Sequence, residues 1–222
     1  MSQKHAPSAH ARARRKKKRL WDRHPEDWYV EPDWVNDCLF RHEEFIGRIH
    51  DPACGVGRIV RAARRAGHRA TGSDIVTRAR GFKVGSFFEQ TRPVENICCN
   101  VPFRFAMAFT GHALNLAERK VALLLPTAWI NGEARSRWLS KTPLKRVWHI
   151  TPRPSMPPGE VVMKATQSIS NGTTDYSYFV WEHGYTGEPL TGWLRRGDLI
   201  SEISVPAPGS TAQPVRTKGH GQ

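Results

Sequence analysis

The sequence predicts an α/β protein built on an open, mostly parallel sheet of seven strands flanked by helices. Three observations carry this. Short apolar runs alternate with segments of helical periodicity. Residues 121–125 are continuously apolar and are stopped by Pro126, as a strand covered on both faces requires. Gly55-Val56-Gly57 stands between a strand pattern and a helix pattern, where open α/β sheets bind ligands.

In chain order, Phe45-Ile46-Gly47-Arg48-Ile49-His50 reads as the first strand, leading into Asp51-Pro52. Residues 58–66 place Ile59, Ala62, Ala63 and Ala66 on one helical face, and Gly67 follows as a C-cap. Residues 68–75 form a second strand that carries Asp74 at its end. Residues 84–88 form a short third strand, and 94–99 a fourth, stopped by Asn100-Val101-Pro102. A helix over 105–116 precedes the strand at 121–125, and another over 131–139 follows it. Strands at 147–150 and 176–181 complete the set. Right-handed crossovers then put helices on both faces.

The chain has 222 residues, enough for one folded unit at 21–204 between a basic tail at 1–20 and a C-terminal tail at 205–222 rich in Pro, Gly, Ser and Thr. No apolar stretch is long enough to span a membrane, and the N-terminal basic run lacks the apolar segment of a signal peptide. Cys38, Cys54, Cys98 and Cys99 match neither a zinc spacing nor a disulfide framework. Reduced thiols, no metal and a cytoplasmic location are the expectation. The net charge is +14. Eight of the 34 Lys and Arg lie in residues 1–19, which contain no acid, so 26 face 20 acids in the rest. Such a tail suits a polyanion, because each neutralised phosphate releases counterions. Arg14, Arg15, Lys16, Lys17 and Lys18 are therefore candidate nucleic-acid contacts.

The glycine turn identifies its ligand by what it lacks. A dinucleotide fingerprint wants Gly or Ala three residues after its second glycine, where this chain has Val60, and Asp51 just before the turn would oppose a pyrophosphate. The Lys-Ser/Thr pair of a P-loop is also missing. S-adenosylmethionine has no phosphate, and its sulfonium and amino group suit an acid. Asp74, seventeen residues after Gly57, stands where an acid grips ribose hydroxyls in related sheets.

Asp51-Pro52-Ala53-Cys54-Gly55-Val56-Gly57 resembles motif I of the DNA amino-methyltransferases, whose fold is the Rossmann-like one of class I methyltransferases. The resemblance implies that Asp51, Pro52, Ala53, Gly55 and Gly57 cradle the methionine part of S-adenosylmethionine and that Asp74 binds its ribose. Trp28-Tyr29-Val30-Glu31-Pro32, ahead of Val35 and Leu39, is similar to the family's N-terminal cofactor motif and adds Tyr29 and Pro32. Ser86 and Phe87 occupy the place of a third motif, which contacts the cofactor's adenine; Phe87 and Phe88 read equally well as core.

Asn100-Val101-Pro102-Phe103 resembles the family's catalytic motif, Asp/Asn-Pro-Pro-Tyr/Phe, with Val101 in place of the usual Pro. The amino group of adenine is a poor nucleophile because its lone pair is delocalised into the ring. Two acceptors aimed at its hydrogens, the Asn100 side-chain oxygen and the backbone carbonyl just after it, at Val101, would localise that pair. Phe103 would stack on the extruded base. Placement and electrostatics carry such a rate effect. The long aperiodic stretch 153–174 suggests phosphate contacts at Arg153 and Lys164.

The similarity extends through Leu124-Leu125-Pro126-Thr127-Ala128-Trp129 and 175–182 to small phage and prophage adenine enzymes. It implies N6-methylation of adenine in DNA. RNA adenine or protein glutamine methylation uses the same motif, and a nucleic-acid-binding protein that keeps the fold without catalysis is the third reading.

Overall fold

The computed structural model describes residues 24–165 and 172–199. Arg14, Arg15, Lys16, Lys17, Lys18 and the two expected tails lie outside the described residues.

The chain opens with a strap, residues 24–31, followed by helix α1 (Asp33–His42) and strand β1 (Ile49–Asp51). Then come α2 (Arg58–Arg65), β2 (Ala70–Asp74), β3 (Lys83–Val84), β4 (Val94–Asn100), α3 (Ala106–Leu116) and β5 (Ala117–Pro126). The last elements are α4 (Glu133–Leu139), β6 (Leu144–Thr151), α5 (Gly159–Lys164), β7 (Tyr176–Glu182) and β8 (Leu190–Arg195). The sheet runs β3-β2-β1-β4-β5-β7-β6-β8. Only β7 is antiparallel, to both β5 and β6; every other pair is parallel.

The sheet therefore has eight strands, not the seven expected. The extra one, β8, pairs along the free edge of β6 from Arg146 against Leu190 to Thr151 against Arg195. Several boundaries also differ, among them β6, which runs Leu144–Thr151 rather than 147–150, and α4, which begins at Glu133 rather than 131. The first strand is only three residues long, because Gly47 turns the chain at φ 95°. The third ends at Val84, and Phe87–Glu89 forms a 3-10 turn. The fifth begins at Ala117. The stretch 153–174 contains the helix α5, and Pro154 to Gly159 are buried.

The apolar run on β5 has a simple cause. Successive side chains point to opposite faces, and helices cover both. Ala122 and Leu124 join Cys98, Tyr178 and Val180 under α1 and α2, packing on Val35, Leu39, Ile59 and Ala63. Val121, Leu123 and Leu125 join Ile97, Cys99, Phe179 and Trp181 in the second core, with Phe109 and Ala113 of α3 and Leu139 of α4.

At the lower end of the sheet Lys120 is buried against acids. Its Nζ lies 2.6 Å from Glu43 Oε1 and 3.1 Å from Glu182 Oε2 and donates to the Glu44 carbonyl at 2.6 Å. Glu43 also accepts from Trp148 Nε1 at 2.9 Å. Removing one member of a buried pair strands the other charge, a loss of about 3–5 kcal/mol. Lys120→Met should fall at the lower end, about 3 kcal/mol, because Glu43 keeps Trp148 and Arg146. Denaturant unfolding checks this, with a lower midpoint at unchanged slope.

Candidate cofactor and acceptor site

Asp51, Asp74 and Asn100 are each the last residue of a strand, β1, β2 and β4, and the three strands are neighbours. Adjacent strands lie roughly 4.8 Å apart, so the three polar groups form a row at one edge of the sheet. Strand order reverses between β1 and β4, and the crevice opens there. A cavity of about 310 Å³ lies over that row, lined by all three residues.

The loop after β1 forms its floor. Gly55 and Gly57 have φ of 53° and 81°, in the left-handed region that glycine occupies without strain. The Gly55 N–H donates to Asp74 Oδ2 at 2.8 Å, and the Cys54 N–H to the Ser73 carbonyl at 2.9 Å. The loop is thus bound to the end of β2. Gly55 lines the cavity; Gly57 does not, and serves instead as the N-cap of α2.

The strap forms the opposite wall. The Val30 N–H donates to the Pro157 carbonyl at 3.0 Å and the Gly159 N–H to the Trp28 carbonyl at 3.1 Å. Glu26 pairs with Arg78 at 2.5 Å, and Asp27 accepts the Arg104 N–H at 2.8 Å. The Arg78 guanidinium lies 4.1 Å from the centroid of the Trp28 ring. The buried half of the Pro-rich stretch therefore holds the strap in place.

Five acids line this cavity, and three of them, Glu31, Asp51 and Asp74, lie over the strand ends or beside them. Glu31, Asp51 and Asp74 are 5%, 2% and 6% exposed. Burial drives the Asp51 carboxyl well above its usual range, with the Glu31 and Asp74 charges adding to the rise. Burial raises Glu31 as well. Asp74 accepts from the Gly55 and Val76 N–H groups and lies 3.5 Å from Arg78 Nε. No cation forms an ion pair with Asp51 among the described residues; its bonds go to the Ala53 N–H and to Cys99. A buried carboxylate left without a counter-ion favours a cationic ligand. Beside the acids the wall is apolar, with Ile75, Phe88 and Phe105 each between 47% and 64% exposed.

Asn100 is held by its nitrogen. Nδ2 donates to the Tyr29 carbonyl at 2.9 Å and to Glu31 Oε2 at 2.8 Å. Both amide hydrogens are used, and no described residue donates to Oδ1. A residue at the cavity wall thus offers an unspent acceptor.

No family model matches the chain, and no curated protein matches it. Solved structures do. A magnesium protoporphyrin IX methyltransferase from Synechocystis PCC 6803, with bound S-adenosylmethionine, is 19% identical over 68% of this chain and 76% of its own, with a TM-score of 0.45. An RNA methyltransferase from Salinibacter ruber, with S-adenosyl-L-homocysteine, is 15% identical over 71% and 95%, at 0.43. An O-methyltransferase from Thermotoga maritima is 15% identical over 70% and 66%, at 0.43. The three differ in what they methylate. The strand order, reversing between β1 and β4, is that of an open Rossmann-like sheet.

Within this Rossmann-like frame most of the expected residues meet at one place. Tyr29, Asp51, Pro52, Ala53, Gly55, Asp74, Ser86, Phe87, Asn100 and Pro102 all line the cavity. Pro32, Gly57, Val101 and Phe103 do not. Pro32 and Gly57 are the residues that start α1 and α2. Val101 is buried in the second core. The Phe103 ring is stacked on Tyr29, with centroids 6.1 Å apart, and leans on Tyr176 at 5.8 Å. It is half-buried and already partnered, so Phe105, two residues on, is the exposed ring at the cavity. Phe87 is packed against Phe109 at 4.3 Å, which leaves Phe88 as the exposed ring of that pair.

Arg153 is exposed and pairs with Asp175 at 2.6 Å; Lys164 is exposed on the last turn of α5. The four cysteines are free and buried. Burial pushes the Cys38 thiol to about 11 and the Cys54 thiol further up, so neither is a ready nucleophile. Among the described residues no helix is long and apolar enough to cross a membrane, and no group of potential metal ligands gathers.

Sequence reasoning missed the roles of Trp28, Glu31, Arg78 and Arg104 in the wall. Trp28 and Glu31 lie in the cluster of aromatic and charged residues at 24–31; nothing in the sequence singles out Arg78 or Arg104.

Proposed function

We propose that this protein transfers a methyl group from S-adenosylmethionine to the exocyclic amino group of adenine in DNA. The observation that carries the reading is the pairing, in one cavity, of an uncompensated buried acid at Asp51 with an amide oxygen at Asn100 that nothing else uses. Asp51 and Asp74 would hold the cofactor's cationic and ribose parts, with Gly55 giving its backbone room to approach. Ile75, Phe88 and Phe105 supply faces for its adenine or for the target base. When bound, the cofactor supplies an electrophilic methyl group on a sulfonium. Asn100 Oδ1 accepts one hydrogen of the target amine and turns its lone pair toward that methyl group. The Pro102 carbonyl is not a free second acceptor, since it already receives the Phe105 N–H at 2.9 Å; no described hydrogen bond ends on the Val101 carbonyl. The +14 charge favours a nucleic acid as the acceptor.

Transfer of labelled methyl from the cofactor to unmethylated DNA, RNA and protein tests this directly. Label on adenine N6 of DNA is the expected result. Label on RNA or on glutamine would move the reading to those substrates. Tight cofactor binding with no transfer to any of the three would assign a nucleic-acid-binding protein without catalysis.

Arg153 and Lys164 are proposed phosphate contacts. The Arg153→Ala, Lys164→Ala double variant should bind DNA more weakly, with the slope of log affinity against log salt reduced by about 2. Unchanged affinity and slope would remove both residues from the interface.

A further inference from the structure

A primary amide has two ends of nearly equal size and opposite hydrogen-bonding sense. Which end of Asn100 faces the cavity is decided only by what surrounds the other. That surrounding is a buried relay. Glu31 Oε2 accepts from Asn100 Nδ2 at 2.8 Å, and Glu31 Oε1 accepts from Asn36 Nδ2 at 2.9 Å. Asn36 Oδ1 accepts from the Tyr178 hydroxyl at 2.6 Å. Asn36 and Tyr178 are fully buried and Glu31 is 5% exposed. The relay joins the strap, α1, β4 and β7.

Two acceptors set the polarity at Asn100, the Tyr29 carbonyl at 2.9 Å and Glu31 at 2.8 Å, and Glu31 is the one of the two that can change its hydrogen-bonding sense. An ionised carboxylate only accepts, so both amides must turn their nitrogens toward Glu31. Their oxygens then point outward, one to Tyr178 and one to the cavity. A protonated or amidated side chain at 31 has one donor and one acceptor end. One of the two amides would then have to reverse, and reversal at Asn100 presents N–H groups to the cavity instead of an acceptor.

We propose that Glu31 is the positioning residue that aims Asn100 Oδ1 at the target amine, with Asn36 and Tyr178 locking Glu31 in register; this role rests on the methyl-transfer reading of Asn100. The groups facing Glu31 are Arg58 from α2, which donates to its backbone carbonyl at 2.7 Å, Asp51 from β1, Cys98 and Asn100 from β4, Asn36 from α1 and Tyr178 from β7. Burial holds the Glu31 carboxyl above its ordinary range. Protonation therefore begins at milder acidity than for an exposed glutamate, and it converts the acceptor into a donor.

The test has two arms on the full chain. In the first, kcat is measured from pH 5 to 8 at saturating DNA and cofactor, so that titration of Asp51, which acts on cofactor affinity, falls out of the profile. Wild type should lose kcat as pH falls through the Glu31 titration. Glu31→Gln should have kcat at least tenfold lower and should lack that acid limb. Tyr178→Phe, which keeps the ring and its packing, should lower kcat severalfold while the limb remains. In the second arm, the Asn100 side-chain amide signals are followed by NMR, assigned by their loss in Asn100→Ala. They should shift with pH in wild type and stay fixed in Glu31→Gln.

An acid limb that survives unchanged in Glu31→Gln, or amide signals that ignore pH in wild type, would overturn the proposal. A wild type that transfers no methyl to DNA overturns the methyl-transfer reading, and this role with it. The amide titration would even then show whether Glu31 orients Asn100, so the two failures are distinguishable.

Discussion

Asn100→Ala is expected to lower methyl transfer to DNA by about 10²–10³-fold, the usual loss when one preorganised polar contact to a reacting group is removed. Cofactor affinity should stay within about threefold, because Asn100 spends its two hydrogens on Tyr29 and Glu31 and leaves the acids of the donor half intact. Single-turnover rates and calorimetric cofactor binding separate the two effects. The alanine variant has a second consequence. Glu31 would lose one of its two side-chain donors while remaining buried, so the variant should also be destabilised, by about 1–3 kcal/mol. Asn100→Asp sharpens the test. It retains an acceptor, but sets a second carboxylate where Nδ2 now stands 2.8 Å from Glu31. Like charges at that distance cannot both ionise. The Asp variant should therefore recover little activity at neutral pH, even though Asp is a common residue at this place in the family the sequence resembles. Full activity in the Ala variant would refute the assignment of Asn100; full activity in the Asp variant would refute the charge conflict with Glu31.

Asp51→Asn should weaken cofactor binding by about 10–150-fold, the range of a hydrogen bond to a charged group at about 1.4 kcal/mol per decade. The same change should make the ligand-free protein more stable at pH 8. Asp51 is buried without a cation, and its folded carboxyl titrates above the unfolded value. The stability it allows is therefore fully present below the unfolded value and is lost as pH rises through the folded one. An amide of the same shape removes that loss. Affinity runs the other way. The carboxylate form is the one expected to hold the cofactor's cation, so binding by wild type should tighten as pH rises from 5 to about 6.5, more than a unit below the ordinary value of an α-amino group. Thermal melts with and without cofactor at several pH values check both slopes. A wild-type affinity that is flat in pH, or an Asn variant no more stable than wild type at pH 8, would remove Asp51 from the donor site.

The donor half of the site was legible because each of its residues ends a strand. An apolar run that stops at a polar residue and then meets proline has few structural solutions; Asp51, ahead of Pro52, and Asn100, ahead of Val101-Pro102, have that context, whereas Asp74 was read from its spacing to Gly57. The two-faced burial of β5 was legible for a similar reason. The strand β8 was not, since Leu190 and Trp193 are about half exposed and Gly192 interrupts the run. Its place becomes clear only in the fold, where a side chain at Gly192 would strike the Trp148 ring. Phe103 and Phe105 illustrate the same limit. Both are aromatic and close to Asn100, and only the approach of Tyr29 and Tyr176 decides which ring is covered. Glu31 lay in a motif whose proline was the readable feature. Its carboxylate matters because of Asn36 and Tyr178, and Tyr178 lies far along the chain.

The strap has one more effect, on distance. It is bound to Pro157 and Gly159 on one side and to Arg78 and Arg104 on the other, which pins its first described residue, His24, near the cavity rim; His24 Nε2 also lies 2.5 Å from Glu160. A chain reaches at most about 3.6 Å per residue. At that reach per residue the strap's eight residues have little slack between their tethers, so a shift of the segment 157–159 is passed straight to the cavity wall through the backbone of Trp28 and Val30.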